Sequence, residues 1–594
     1  MKKYNLINNV MGWLIFLVAA VTYLLTIEPT ASFWDCPEFI AQGYKLEIGH
    51  PPGNPMFILA ARFAANFAGG DVTAVAKCVN AMSAILSAAT ILLLFWTITH
   101  LVKKLVVKKG EEENMSLAQY LVVMGSGVCG ALAYTWSDTF WFSAVEAEVY
   151  AFSSFCTALV FWLILKWENR ADHPSSDRYL ILIAFIFGIS LGVHLLNLLA
   201  IPAIALIFYY RKAKKSTVLG SLLTLLVSFV IIVLILYGLE PGFVKMSGYF
   251  ERLFVNGFHT GYNSGVVFYA VLLMASFAWT LFELHRDKSE TLKAVSIILS
   301  VILSGMFMIG SGGMGIAVAV ILIIALIVYF FAFSKRLSPR IYSNIILSMM
   351  MIFIGFSAYA LVLIRSNANL PLDENSPNSP FALTSYLSRD QYGKSPLIYG
   401  NTFMSPVIDY KDGPNKYTRL VKTDKNQPDE YINLGPERDY KYASETEMLF
   451  PRIHSYMHAN DYASILGYSS PEGIGKYVDG LLFFTIHGTV SADSEISFKA
   501  VENITGKELN IGETVKFQGQ HTGSIVSPFV LNAKGDVTAI EDIDINYNVY
   551  PKPLRSRMYI NGPTELIKSV YILAANGQKV ITAYSYNDEG IDVS

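Results

Sequence analysis

About eleven apolar stretches, most of them close to the length that crosses a lipid bilayer, dominate the first two thirds of the sequence. A transmembrane helix needs about 20 apolar residues in succession. Charged residues make up only 15% of the chain, whereas about 25% is usual in soluble proteins. The sequence therefore predicts a mainly α-helical, polytopic membrane protein. The stretches lie near 10–27, 72–98, 117–136, 148–165, 179–195, 197–210, 217–238, 266–284, 292–309, 313–333 and 341–363.

The composition changes near residue 364, where the apolar stretches end and polar sequence begins. We expect a transmembrane domain over 1–364 and an extracytoplasmic α/β region over 365–470. Alternating segments such as LLFFTIHGTVS and ETVKFQGQ are typical of β-strands. They predict a β-rich domain over 471–548 and a smaller β module over 549–594, together a C-terminal β-sandwich.

Clusters of lysine and arginine predict the orientation of the spans. KKLVVKK (103–109), RKAKK (211–215) and SKRLSPR (334–340) each fall between an even-numbered span and the next odd one. Since loops rich in Lys and Arg stay in the cytoplasm, eleven spans give one consistent alternation. The N-terminus is then cytoplasmic, and the polar tail lies on the opposite side.

Ionisable residues gather in the loops of that opposite side, which indicates a polar cavity at the outer membrane face. The short basic cytoplasmic loops contain no such group. No metal-ligand set is evident, and the cysteine spacings indicate neither a zinc site nor a disulfide framework. The candidates are Asp35, Glu38, His50, Glu146, Glu148, His194, Asn197, Arg252 and His259.

The segment WDCPEF places Asp35 and Glu38 three residues apart, so a helix there would put both carboxylates on one face. Pro37 suits the first turn of such a helix. Two nearby carboxylates raise the proton affinity of one of them, which favours a general base. A pair that caps the helix N-terminus is the alternative interpretation.

His50 begins the segment GHPPGNP, which has three prolines and two glycines in seven residues. Such a segment is a stiff, helix-breaking hinge. A histidine there can bind a phosphate oxygen or transfer a proton. The alternative is an ordinary turn with a histidine at the membrane interface.

Two pairs of polar residues lie at the ends of later spans. Glu146 and Glu148 are at the mouth of the fourth span, and because residues two apart diverge on a helix, we expect Glu146 to face the cavity. His194 and Asn197 are one helical turn apart. They either face the same cavity or bond to each other in a tight helical hairpin.

Arg252 and His259 belong to the glycine-containing loop ERLFVNGFHTGYNSG. Arginine is well suited to a phosphate group. The pair either binds a phosphate group or contacts lipid headgroups from a mobile loop.

Residues 30–59 resemble the signature of glycosyltransferase family 117 (domain of unknown function 2723), which comprises bacterial relatives of a eukaryotic transmembrane protein O-mannosyltransferase. The signature has an Asp, a Glu three residues later, and His-Pro-Pro-Gly about a dozen residues further on. VEAEVYAF, LGVHLLNLLAIPA and the segment 375–400 also resemble the family. The resemblance covers roughly residues 1–465.

The resemblance implies a GT-C type fold and a glycosyltransferase that works at the periplasmic face of the bacterial inner membrane. A mannose-like sugar would pass, with inversion, from a polyprenyl-phosphate donor to a hydroxyl of an acceptor protein or peptide. Asp35 would be the catalytic base, Glu38 its acidic neighbour, and His50 a group near the donor phosphate. No metal or cofactor is expected, and the partners are membrane lipid, donor and acceptor rather than nucleic acid.

The last residues resemble a different module. Residues 549–583 are similar to the sorting domain of type IX secretion cargo, through Tyr550, Pro551 and Pro553 and through Asn576-Gly577-Gln578. Two other functions therefore stay open: a non-catalytic, membrane-anchored binding or sorting protein, and a lipid or sugar transporter. A transporter is disfavoured because the spans are nearly free of charge at their centres and show no inverted repeat.

Overall fold

The computed structural model describes most of the chain up to residue 465 and, further on, eleven short strands between 485 and 592. Two compact units are formed, one by Met1–Lys394 with Lys411–Asp439 and the other by Ser395–Tyr410 with Tyr440–Ser594. The described ranges before the strands are 2–108, 110, 114–308, 312–333, 338–393, 395–403, 405, 407–424, 426–444, 447–451 and 453–465.

The first unit is almost entirely helical. Its helices are α1 (Lys2–Leu25), α2 (Cys36–Lys45), α3 (Pro55–Ala65), α4 (Val75–Val106), α5 (Leu117–Thr135), α6 (Asp138–Ala144), α7 (Val149–Arg170), α8 (Asp177–Leu191), α9 (Ile201–Lys212), α10 (Val218–Val233), α11 (Glu240–Arg252), α12 (Ser264–Arg286), α13 (Glu290–Leu303), α14 (Gly312–Val328), α15 (Pro339–Phe356), α16 (Tyr359–Ser366) and α17 (Pro380–Leu387).

Eight helical segments of the described chain are long and apolar enough to cross a membrane. Three of the eleven predicted spans correspond to α8, α13 and α14, which have 15, 14 and 17 residues. These are shorter than the roughly 20 residues of a full span. A helical, multi-pass membrane domain is thus present, while the count of eleven and the orientation stay predictions. The eight segments are Lys3–Leu25, Val72–Val106, Leu117–Thr135, Val149–Arg170, Leu195–Lys212, Val218–Gly257, Ser264–Arg286 and Pro339–Ser366.

The predicted break between 179 and 210 is present. α8 ends at Leu191, the backbone extends at His194, and a 3₁₀ turn over Leu195–Ala200 leads into α9. Pro202 lies in the first turn of α9, where its missing N–H costs no hydrogen bond. The apolar stretch is therefore two helices rather than one.

α8 packs closely against α15, near the end of the membrane region. This packing brings Tyr359, just after α15, to the loop between α2 and α3. A Cβ atom at Gly188 would overlap the backbone of Ile352, and one at Gly355 would overlap the backbone of Gly188. The lack of side chains thus lets the two backbones touch. Beyond α15, the hydroxyl of Tyr359 donates to the carbonyls of Gly53 and Leu191, each at 3.3 Å.

The main apolar core joins helices on both sides of that contact. It includes Phe39 of α2, Phe57 of α3, Ile164 of α7, Phe187 of α8 and Phe353 of α15, all less than a tenth exposed. A second cluster joins α1, α4, α5 and α6. The first loop is consequently anchored to the protein core by α2 and α3.

Strands β1 (Tyr399–Asn401) and β4 (Glu447–Leu449) pair antiparallel, and β2 (Val407–Arg419) pairs with β3 (Tyr431–Tyr442). A short helix, α18 (Ala459–Ile465), follows. Among the later described strands, pairs or triplets form: β5–β10, β6–β9, β7–β8, β13–β14 and β11–β12–β15. They are β5 (Thr485–Val490), β6 (Ser494–Ile496), β7 (Ala500–Val501), β8 (Glu508–Leu509), β9 (Val515–Phe517), β10 (His521–Val526), β11 (Asn548–Tyr550), β12 (Arg557–Asn561), β13 (Val570–Leu573), β14 (Lys579–Ala583) and β15 (Ile591–Asp592).

The tail is therefore rich in strands, as predicted, while the β-sandwich and the domain limits stay predictions. Pro551, Pro553 and the segment 576–578, on which the resemblance to a sorting domain rests, lie outside the described residues.

Candidate functional site

Asp35 lies at the N-cap of α2, directly after the first membrane helix and its loop. Pro37 is in the first turn of α2, as expected, and Glu38 is the acidic residue of that turn. Among the described residues, Asp35 makes no capping hydrogen bond through its side chain. Its carboxylate is 56% exposed. The capping interpretation therefore does not account for Asp35, whose oxygens remain accessible.

Glu38 and His50 form a tight pair across the loop. Oε2 of Glu38 lies 3.0 Å from Nδ1 of His50, and Oε1 accepts the backbone N–H of His50 at 2.8 Å. Gln42 donates to the same Oε1 at 2.5 Å. A Cβ atom at Gly49 would overlap Glu38 Oε1 and Gln42 Nε2, so this close approach depends on glycine there.

Each member of this pair favours the charged form of the other. The hydrogen bond to Glu38 raises the pKa of His50, against the effect of burial. Burial would raise the pKa of Glu38, but the hydrogen bonds from His50 outweigh it and lower that pKa. His50 is thus favoured as an imidazolium whose Nδ1 proton is held by Glu38. Its Nε2 lies 3.9 Å from Oδ2 of Asp35.

Asp35, Glu38 and His50 are also the one group in the described chain with metal-ligating atoms close together, all within 4.8 Å. Metal ligation needs a neutral imidazole, whereas Glu38 favours the protonated form. The expectation that no metal is required stays a prediction.

Glu148 is a further carboxylate beside Asp35. It is the N-cap residue of α7, is 6% exposed, and its pKa is raised to about 7 by burial and then by the charges of Asp35 and Glu146. Glu146 is 4% exposed, and its Oε2 has no hydrogen-bond partner in the described part of the chain. Burial raises the pKa of Glu146, which bonds to Ser32.

The expectation that Glu146 faces the cavity stays a prediction. Glu148 is the residue whose pKa is affected by the charges of both Asp35 and His50. Residues 145–148 are not helical: 145–147 form bends between α6 and α7, and Glu148 is extended. Helical spacing consequently does not decide which way each side chain points.

His194 and Asn197 do not bond to each other. Nδ1 of His194 accepts the backbone N–H of Leu196 at 3.1 Å, and its ring lies 5.5 Å from that of Tyr150. Burial, with Arg389 nearby, lowers the pKa of His194. Asn197 is fully buried, and neither of its amide atoms has a partner among the described residues. The satisfied polar pair suggested by their spacing is not formed.

Arg252 belongs to a separate set of contacts. Its guanidinium donates to the hydroxyl of Tyr417 and lies 4.9 Å from the centre of that ring. The neighbouring Glu251 is fully buried and accepts the hydroxyl of Tyr431 at 3.0 Å. These contacts join α11 to the ribbon of β2 and β3. His259 is exposed in the following loop, with a left-handed backbone (φ 55°).

Two residues that sequence analysis did not single out lie against His50. Tyr386 is 1% exposed and donates to the carbonyls of Gly49 (2.7 Å) and His50 (3.3 Å). The charge of Glu374 contributes to the raised pKa of His50, and its Oε2 is buried without a partner in the described chain. The only signal for Tyr386 was that the segment 375–400 continues the family resemblance, and Glu374 lies one residue before that segment.

Two aromatic residues project from the loop immediately before Asp35. Phe33 is 74% and Trp34 87% exposed, and the backbone of Trp34 is left-handed (φ 60°). Such a conformation is uncommon for a bulky residue. Large exposed aromatic side chains are typical of the membrane–water interface.

A family model described as the N-terminal domain of the protein O-mannosyl-transferase TMEM260 matches residues 35–217. The match begins at Asp35 and includes Glu38, His50, Glu148 and His194. The matched region is thus similar to the N-terminal domain of a protein O-mannosyltransferase. Arg252, His259, Glu374 and Tyr386 lie beyond it.

Two curated relatives carry the same name. The mouse protein O-mannosyl-transferase TMEM260 is 25% identical over 217 residues, which are 36% of this chain and 28% of the relative. The Dictyostelium discoideum protein is 23% identical over 168 residues, 28% of this chain and 18% of the relative. The chain thus spans less than a third of the length of these relatives.

Residues 393–503 match a second model, a family of unknown function designated DUF8416. No solved structure matches the chain. The similarity of residues 35–217 supports a membrane glycosyltransferase-like function.

Proposed function

We propose that the chain is a membrane glycosyltransferase that transfers a mannose-like sugar from a polyprenyl-phosphate donor to a hydroxyl of an acceptor protein. The site would open on the periplasmic face of a bacterial inner membrane, with the N-terminus in the cytoplasm. The observation that carries the proposal is the grouping of Asp35, Glu38 and His50 in a segment similar to protein O-mannosyltransferases.

In the proposed reaction the acceptor oxygen attacks the anomeric carbon from the face opposite the phosphate. The new C–O bond forms as the bond from the anomeric carbon to the phosphate oxygen breaks, so the configuration inverts. The hydroxyl proton passes to Asp35, whose exposed carboxylate is accessible to a substrate. The phosphate leaves with the bonding electron pair.

His50 would stabilise the departing phosphate. Because Glu38 holds Nδ1, the Nε2 proton of the imidazolium would donate to a phosphate oxygen once the bound sugar separates it from Asp35 Oδ2, which lies 3.9 Å away. Glu38 would then act through His50, fixing the ring and keeping it charged. Glu148 lies close enough to Asp35 for the Asp35 charge to contribute to its raised pKa of about 7, after the larger effect of burial.

The test is transfer by the full chain in lipid nanodiscs, with polyprenyl-phosphate mannose and a mixture of serine- and threonine-containing peptides. Asp35→Asn keeps the shape but removes the base, and we expect a loss of at least about 100-fold. Asp138→Asn, in an exposed carboxylate of another outer loop, is the matched control and should retain transfer. Undiminished transfer by a folded Asp35→Asn protein would remove Asp35 from the mechanism.

A further inference from the structure

Tyr386 is separated from the first loop by more than 330 residues of sequence, yet it is in direct contact with the loop backbone. Its hydroxyl lies 2.7 Å from the carbonyl oxygen of Gly49, 337 residues earlier, and 3.3 Å from that of His50. The side chain is 1% exposed. A buried hydroxyl shared between two adjacent carbonyls restrains the backbone on which the His50 side chain is built.

A second contact restrains the same stretch. The backbone N–H of Ile48 donates to the carbonyl of Leu372 at 3.1 Å, and the N–H of Glu374 donates back to Ile48 at 3.1 Å. Ile48 and Asp373 thereby form an isolated parallel bridge. The segment that follows the last membrane helix consequently holds the loop from one side, while Glu38 holds it from the other.

The hinge leaves room for the tyrosine. Gly53 has a left-handed backbone (φ 75°), and a Cβ atom there would lie 2.6 Å from the Tyr386 hydroxyl. This conformation is open to glycine at no steric cost. The loop and α17 therefore fit one another at Gly53 only without a side chain at that position.

We propose that Tyr386 is a positioning residue for His50, and that residues 372–387 complete the catalytic site from beyond the region that matches the O-mannosyltransferase model. The inference rests on the proposed function, because it assigns Tyr386 a task in presenting Nε2 of His50 to the leaving phosphate. Tyr386 itself touches no reacting atom.

The experiment compares Tyr386→Phe with Tyr23→Phe in the nanodisc transfer assay. Tyr23 is also fully buried and donates to a backbone carbonyl, that of Thr135 at 2.9 Å, but it packs in the second core cluster. Removing the hydroxyl of Tyr386 should lower turnover about tenfold, and that of Tyr23 less than about twofold. Thermal unfolding of both variants verifies that they are folded.

Two readouts separate positioning from a general structural role. In a His50→Gln background, Tyr386→Phe should cause almost no additional loss, because its effect passes through the histidine. The alkaline limit of the pH–rate profile should also move to lower pH in Tyr386→Phe, since a displaced His50 loses contact with Glu38. The groups that face His50 are Asp35 and Glu38 on α2, Glu148 at the start of α7, Glu374, and Tyr386.

The inference is overturned if the losses multiply in the double variant, or if the alkaline limit stays in place while turnover falls. If transfer by His50→Gln alone is too slow to detect, the pH–rate profile of Tyr386→Phe decides whether Tyr386 acts through His50. Gly53→Ala, which keeps the hydroxyl but displaces it, should reproduce the shifted limit. Absence of transfer by the wild-type chain would instead overturn the proposed function.

Discussion

Oε2 of Glu38 lies 3.0 Å from Nδ1 of His50, twelve residues later in the chain, while Oε1 accepts the backbone N–H of the same histidine. One carboxylate thus fixes both the ring and the backbone of His50. Each side chain of this pair is about a quarter exposed. The pair is therefore stiff but open to solvent on one side, which suits a site that must admit a substrate.

Glu38→Gln should shift the pH dependence of transfer. Glu38 raises the pKa of His50. The imidazolium is therefore kept as the pH rises and loses its proton only when the pH passes the raised pKa. Without the carboxylate charge the pKa falls toward its usual value of about 6.5, and the alkaline limit moves to lower pH. Turnover at pH 8 should fall more than turnover at pH 6. An alkaline limit that stays where it is in the wild type would show that His50 is not the titrating group.

Gly49→Ala should lower transfer by about tenfold or more while leaving the fold intact. The new methyl group would overlap Glu38 Oε1 and Gln42 Nε2 and force them away from the His50 backbone. The control is Gly125→Ala in α5, where an added Cβ would meet no atom within 4 Å. Equal activity of the two variants would indicate that the Glu38–His50 contact is not needed.

Chelation should leave transfer unchanged. The hydrogen bond to Glu38 raises the pKa of His50 and so favours the imidazolium, whereas a metal ligand must be a neutral imidazole. We expect the same rate before and after dialysis against EDTA, and less than one tenth of an equivalent of transition metal per chain by mass spectrometry. A rate lost on chelation and restored by Mg²⁺, Mn²⁺ or Zn²⁺ would instead identify Asp35, Glu38 and His50 as a metal site.

Glu251→Ala should destabilise the protein by about 2–4 kcal/mol. The fully buried carboxylate accepts the backbone N–H groups of Asn263, Gly265 and Val266 at 2.5–3.3 Å, and the hydroxyl of Tyr431 at 3.0 Å. Removing it leaves these donors unpaired at the start of α12. The measurement is the unfolding midpoint in detergent.

A second substitution tests the same contact. Tyr431→Phe should lower the midpoint in the wild type but not in Glu251→Ala, because the shared hydrogen bond is then already absent. Tyr262→Phe, whose hydroxyl bonds at the surface, should have little effect. Equal effects of Tyr431→Phe in both backgrounds would contradict the assigned contact.

The grouping of Asp35, Glu38 and His50 was predictable because all three lie within sixteen residues, and a proline-rich hinge must fold back on a short helix. The helical membrane region was predictable for a similar reason, since apolar length is a local property. The count of eleven spans stays a prediction, because α8 and α13 are shorter than their apolar stretches.

The remaining contacts depend on tertiary structure. Glu148 rather than Glu146 is coupled to Asp35 because residues 145–148 leave the helical geometry that the spacing argument assumed. Arg252 is bound by Tyr417, a residue of a ribbon 165 positions later. No local sequence pattern predicts a partner so far along the chain. An arginine with no such partner, next to the same glycine-rich loop, would have the same local sequence.

The hydrogen bonds from Tyr386 to the first loop also impose an order on biogenesis. The loop leaves the ribosome early, but the hydroxyl that restrains it is made 337 residues later. At typical rates of protein synthesis that interval is about 20 to 70 s. During that interval the nascent chain carries Asp35 and His50 in a loop that lacks the hydrogen bonds from Tyr386. A chain arrested before Tyr386 is made therefore has most of its membrane helices but not this restraint on the loop.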